Sequence, residues 1–272
     1  MRDRTLLDPN LHALVVEDDT VTREFLADAL AQAGWAVSVA ATLAIAVRIL
    51  REWTPRLVLS DVRLPDGDAF RLSAECSLGN GAGKREPYAI ELSAEVDPAL
   101  RARLMAAGYD DVLTKPLALG ELMASLSFAN VKLAAESGRI EARPSRGVTE
   151  LPSANPLAPA AILDDTAALE VCGSSSTVDA LRRLLAVELP GCLEQLRQAH
   201  ARDDSDARNE ILHRLRSASG FCGASALGLA VREAFADRPE NSLDDPGLSR
   251  VLREGHALLE RLALRGAQQQ LA

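Results

Sequence analysis

Aromatic side chains make up only 3% of this 272-residue sequence, so its cores must be filled by aliphatic residues, chiefly Leu, Ala and Val. Cysteine is also sparse. Cys76, Cys172, Cys192 and Cys222 lie far apart, form no CxxC pair and have no histidine at ligand spacing, which excludes a disulfide framework and points to reduced core residues. No apolar run approaches the ~18 residues of a membrane span. The opening MRDRTLLDPN has no apolar stretch of the kind a signal peptide carries, so a cytoplasmic location without a membrane partner is expected. Positive charge is in deficit as well: the net charge is -9 and no segment reads as a basic helix, which argues against nucleic acid as a partner.

What is present divides the chain. The length suits two domains of ordinary size. Short β-rich runs, LHALVVE (11–17), WAVSVA (35–40), RLVLSD (56–61), YAIELS (88–93) and DVLTK (111–115), alternate with helical patterns such as TVTREFLADALAQAG and DPALRARLMAAG. Five strands separated by helices predict an α/β fold, a doubly wound parallel sheet with right-handed crossovers, and ligands bind such sheets at the carboxyl ends of the strands.

Those ends carry polar residues: Glu17, Asp18 and Asp19 after the first run, Asp61 at the third, Ser93 at the fourth and Lys115 at the fifth. Any one acidic residue there reads as a helix cap, but the coincidence across four strands points to a site. Carboxylates gathered at one edge repel unless a cation joins them, and a hard ion such as Mg²⁺ (or Mn²⁺) takes carboxylate oxygens while keeping positions for water or phosphate. A lysine and a hydroxyl beside it complete a phosphoryl-binding site.

The set VVEDD, LVLSDVRLPDGDAF, ELSAE and LTKP resembles the receiver domain of two-component response regulators over residues 8–128, a flavodoxin-like five-stranded fold. The resemblance implies that Asp61 accepts a phosphoryl group as an acyl phosphate. It implies a metal site of Glu17, Asp18, Asp61 and the backbone carbonyl of Arg63, with Ser93 and Lys115 binding the phosphoryl oxygens. Two positions depart from the pattern. Val112 stands where the family often has an aromatic switch residue, and Glu91 lies inside the fourth strand, where burial demands a raised pKa or a cationic partner. SLGNGAGKREP has Leu78 where a phosphate loop needs its first glycine and Arg85 where it needs Ser or Thr, so it reads as a flexible loop.

Residues 129–158 are rich in Ala, Pro, Ser, Gly and Arg without sustained period and read as a flexible linker, begun by an overrun of the last receiver helix and allowing the two domains to move separately. From 159 to 267 the pattern is helical, predicting an all-α antiparallel four-helix bundle, with Pro190 expected to kink or interrupt one helix. In ILHRLRSASGFCG, Ile211, Leu215, Ala218 and Cys222 share a buried face, while His213 points away among Asn209, Arg216, Ser217 and Gly220 and is expected to be exposed. This stretch resembles the histidine phosphotransfer (HPt) domain. The resemblance makes His213 a phosphoryl carrier supported by Arg216, Ser217 and Gly220, with Arg216 in the place of the usual lysine and Ser217 in that of a glycine. It implies a sensor histidine kinase and other receiver domains or response regulators as partners in a phosphorelay. It also admits a binding module in which phosphorylation controls how the bundle docks on and inhibits a kinase or output enzyme.

Overall fold

A computed structural model describes residues 11–79, 87–93, 97–115, 117–135, 161–236 and 245–270. The five expected strands form: β1 (His12–Val16), β2 (Ala36–Ala40), β3 (Leu57–Asp61), β6 (Tyr88–Ser93) and β7 (Asp111–Thr114), with a small antiparallel hairpin of β4 (Arg63–Leu64) and β5 (Gly67–Asp68) after the third. The main sheet is parallel throughout, in the order β2-β1-β3-β6-β7. Its central strands are buried on both faces, which is why their sequences read as continuous apolar runs rather than alternating ones.

The helices are α1 (Thr20–Gln32), α2 (Leu43–Glu52), α3 (Ala69–Gly79), α4 (Pro98–Ala106) and α5 (Leu119–Ala135). Asp19, Thr42 and Asp97 cap α1, α2 and α4 by accepting from the backbone N–H three residues on. Ala13, Val15, Leu59 and Leu92 pack with Phe25, Leu26 and Leu122 on one side of the sheet, and Leu14, Val16 and Val58 pack with Leu43 and Leu72 on the other.

The second half contains α6 (Asp165–Cys172), α7 (Ser175–Ala201), α8 (Ser205–Cys222), α9 (Ser225–Ala236) and α10 (Pro246–Gln270). Helices α7 to α10 pack each on the next, α10 closes back on α7, and α6 lies across α7 and α8. One sequence expectation is corrected here. Pro190 does not interrupt α7, because Leu185, Leu189, Leu193 and Leu196 on either side of it are buried in one core, and that burial outweighs the lost backbone hydrogen bond. Helix α8 runs through Gly220 to Cys222 and stops at Gly223, whose φ is 65°. A Cβ at Gly223 would lie 2.1 Å from the Asp164 carbonyl oxygen, so glycine is required both for the turn and for the seat of α6. Residues 129–135 continue α5, the overrun expected at the start of the linker; residues 136–158 and the loop core 80–86 lie outside the described residues.

The two halves are in contact. Helix α1 packs on α7 and α8, with the Phe25 and Phe221 rings 4.4 Å apart at their centroids and the Thr177 hydroxyl donating to Asp28 at 2.9 Å. At a second contact the Leu119 side chain of α5 sits against Gly173, where a Cβ would overlap it. The buried apolar residues of α1 and of the bundle thereby form one continuous cluster.

Candidate functional site

The parallel register sets Val16 beside Ser60 and Asp61 beside Leu92, so the residues that follow β1, β3 and β6 emerge together at one edge. Ligand oxygens of Glu17, Asp18 and Asp61 lie within 4.8 Å of one another. The Lys115 ammonium reaches across them, donating to Glu17 Oε2 at 2.6 Å and Asp61 Oδ2 at 2.7 Å. Its own backbone N–H donates to the Ser93 carbonyl at 2.7 Å, which fixes the end of β7 against that of β6. Glu17, Asp61, Ser93 and Lys115 are all buried. The Arg63 N–H points at Asp61 Oδ1 from 3.4 Å. Arg23 ties down the loop after β1 by donating to the carbonyls of Glu17 and Asp18. Asp19 belongs elsewhere: its carboxylate accepts from the Thr22 N–H and hydroxyl, so for this residue the capping role holds.

Burial and pairing compete in this cluster. Burial pushes the Asp61 carboxyl up, but Lys115 and His213 outweigh it and hold the group below the usual carboxylate range. Burial raises Glu17 well above its ordinary value despite Lys115. Lys115 is held above its ordinary value, because Glu17 and Asp61 more than offset its desolvation.

Glu91, inside β6 beside Ser60, is fully buried, and burial raises its pKa well above the usual carboxylate range. No cation reaches it among the described residues. The Ser60 hydroxyl donates to Glu91 Oε2 at 2.5 Å and lies 3.1 Å from the Tyr109 hydroxyl, which in turn donates to the Ala69 carbonyl at 2.9 Å. Val112, at the position of the missing aromatic switch, is buried in the cluster of Ala69, Leu104 and Tyr109.

His213 is not exposed as the isolated helix suggested. The docked receiver half covers it, leaving its side chain 13% exposed, with Nε2 3.7 Å from Asp61 Oδ2. That Nε2 is buried without a hydrogen bond. Beside it, Ser217 is buried, and Arg216 and Gly220 are half-buried. A cavity of about 420 Å³ opens onto the pair between the two halves, lined by Asp18, Asp61, Arg63 and the hairpin on one side and by Asn209, His213 and Arg214 on the other. Sequence reasoning did not single out Arg214, Tyr109 or the Phe25–Phe221 contact. Only the neighbouring positions of Arg214 and His213 on one helix carried a signal. The other histidines stand apart: His12 tilts against Trp53, and His200 lies near Asp245.

Residues 13–127 match the family model of the response regulator receiver domain, and residues 180–263 match that of the Hpt domain. The chain is 33% identical over 118 residues to the KDP operon transcriptional regulatory protein KdpE of Escherichia coli, covering 43% of this chain and 50% of that one. It is 26% identical over 263 residues to the virulence sensor protein BvgS of Bordetella bronchiseptica, covering 92% of this chain and 20% of BvgS. The crystal structure of the receiver domain of a sensor histidine kinase from Pseudomonas aeruginosa, with a magnesium ion in its active site cleft, is 28% identical with a TM-score of 0.39, covering 44% of this chain and 96% of that one. This chain thus spans half the length of the first relative and a fifth of the second. Among the described residues no helix is long and apolar enough to cross a membrane.

Proposed function

The chain carries a response regulator receiver domain joined to an Hpt domain, and on that premise we propose that it is a phosphorelay protein whose two acceptors, Asp61 and His213, exchange a phosphoryl group directly within one chain. The observation that carries this reading is the 3.7 Å between Asp61 Oδ2 and His213 Nε2, with no other partner on that nitrogen. That separation is one in which a phosphorus in transit lies between the two atoms, which is the positioning that phosphoryl transfer depends on. In the forward step the bond from phosphorus to Asp61 Oδ2 breaks and its electron pair returns to the carboxylate. The lone pair of neutral His213 Nε2 forms the new bond, and the proton stays on Nδ1. The reverse step restores the acyl phosphate.

Three carboxylates with oxygens within 4.8 Å, facing a single lysine, leave an excess of negative charge that suits a hard divalent ion, Mg²⁺ or Mn²⁺. Glu17, Asp18 and Asp61 would hold it, with the Arg63 carbonyl, and it would supply charge neutralisation to the phosphoryl oxygens. Lys115 and Ser93 bind those oxygens from the protein side, and Arg216, Ser217 and Gly220 give the imidazole its setting. A sensor histidine kinase would charge Asp61, and other receiver domains would exchange with His213, each in a state where the two halves have parted, because the docked arrangement covers both acceptors. The test is to label the full chain, Asp61→Ala and His213→Gln with acetyl phosphate and Mg²⁺ and to sort the product by acid and base stability. Base-stable, acid-labile label that requires both residues is expected. Label confined to base-labile Asp61 in the unaltered chain would overturn the proposal and favour the binding-module role.

A further inference from the structure

Arg214 follows His213 on α8, about 100° around the helix, and shares with it the wall of the cavity that opens onto Asp61. Its donors are largely unspent. One terminal nitrogen donates to Gln195 Oε1 at 3.3 Å, its Nε is buried with no hydrogen bond, and it forms no ion pair with a described residue. The buried Nε is disfavoured without an acceptor, and an anionic group entering the cavity can supply one. Arg216, which sits where the family resemblance puts the supporting cation, is not among the residues lining this cavity. The bundle therefore brings a different arginine to the junction.

Resting on the phosphorelay reading above, we propose that Arg214 is the bundle's phosphoryl-positioning residue, its guanidinium holding the equatorial phosphoryl oxygens as the group passes between Asp61 Oδ2 and His213 Nε2. During the passage the group is planar and bonded fully to neither atom, with its charge spread over three equatorial oxygens, and a planar fork of donors suits them better than a point charge. The receiver half contributes Lys115 from one side of the gap. Arg214 enters from the other, so that its contribution exists only when the halves are docked.

The experiment measures the ratio of acid-labile His213 label to base-labile Asp61 label over time in the full chain treated with acetyl phosphate and Mg²⁺. Arg214→Gln, Arg214→Lys and Arg216→Gln are compared with the unaltered chain. The initial rise of that ratio is expected to slow about 100-fold in Arg214→Gln, the scale of losing one preorganised donor to developing charge. Arg214→Lys should recover part of it, and Arg216→Gln should cost only a few-fold. An unchanged ratio in Arg214→Gln, or equal losses in the two glutamine variants, would overturn the inference while leaving the relay intact. A chain that loads Asp61 but never labels His213 would sink the relay itself, and the role of Arg214 with it.

Discussion

The two halves of the molecule specify their reactive residues in different ways. In the receiver half, Asp61 is held by its own fold: strand ends converge on it, and a lysine bonds both it and Glu17. In the bundle, His213 lies on a helix that supplies it with no hydrogen bond at Nε2, and the carboxylate facing that nitrogen comes from the other half. One site is a product of folding and the other a product of docking. Substitutions at the first should therefore damage the protein, and substitutions at the second should damage only the transfer.

The sharpest contrast is between Lys115 and His213. Lys115→Ala leaves Glu17 and Asp61 buried without their cation, and a loss of about 3–5 kcal/mol is expected in urea unfolding. His213→Gln, which removes one partner of Asp61 and leaves Lys115 in place, should cost about 1 kcal/mol or less. Similar losses in the two would dissolve the distinction. Next in size is Phe221→Ala, at the ring contact that joins α1 to α8. It should cost about 3 kcal/mol and slow the appearance of His213 label, where a substitution confined to one core would affect stability alone.

Glu91→Gln tests the receiver half from the other direction. A carboxyl whose pKa is raised by folding binds its proton more tightly in the folded chain than in the unfolded one. Its favourable contribution is complete below the unfolded pKa of about 4.3 and is lost as pH rises through the folded value. The neutral amide keeps an acceptor for Ser60 and has no charge to bury. The variant should melt a few degrees higher than the unaltered chain at pH 8, on the scale of ~1 kcal/mol, with the gap closing toward pH 4. An equal gap at both pH values would mean that Glu91 is not a protonated acid in this fold. The smallest effect belongs to Thr177→Val, which removes one hydrogen bond across the junction and should weaken docking by ~1 kcal/mol or less, read as faster hydrogen exchange along α1.

Much of this was legible in the sequence, for physical reasons. Strands buried on both faces must be written as unbroken apolar runs, so β3 and β6 announce themselves. A carboxylate or lysine that ends such a run has little choice but to emerge at the sheet edge, which is how Glu17, Asp61 and Lys115 could be read together. The demand that a buried Glu91 must change its protonation or find a cation was equally visible, although Tyr109 and Ser60 as its neighbours were not. The junction was hidden for a different reason. Phe25 and Phe221 each sit on the apolar stripe of their own helix, and a stripe does not say whether its partner is in the same domain. The interruption allowed for at Pro190 does not occur: a local cost was weighed without the flanking leucines that repay it. The exposure expected for His213 follows from α8 alone and fails once α1 is packed beside it.

The central claim is that Asp61 and His213 of the same chain meet. The direct measurement is the first-order rate constant for the appearance of acid-labile, base-stable label after a pulse of acetyl phosphate, followed over a wide dilution of the full chain. Transfer within the docked chain predicts a rate constant that does not change with protein concentration. A rate that falls in proportion to dilution would mean that the phosphoryl group travels between chains, and the contact between Asp61 and His213 described here would not be the one that carries it.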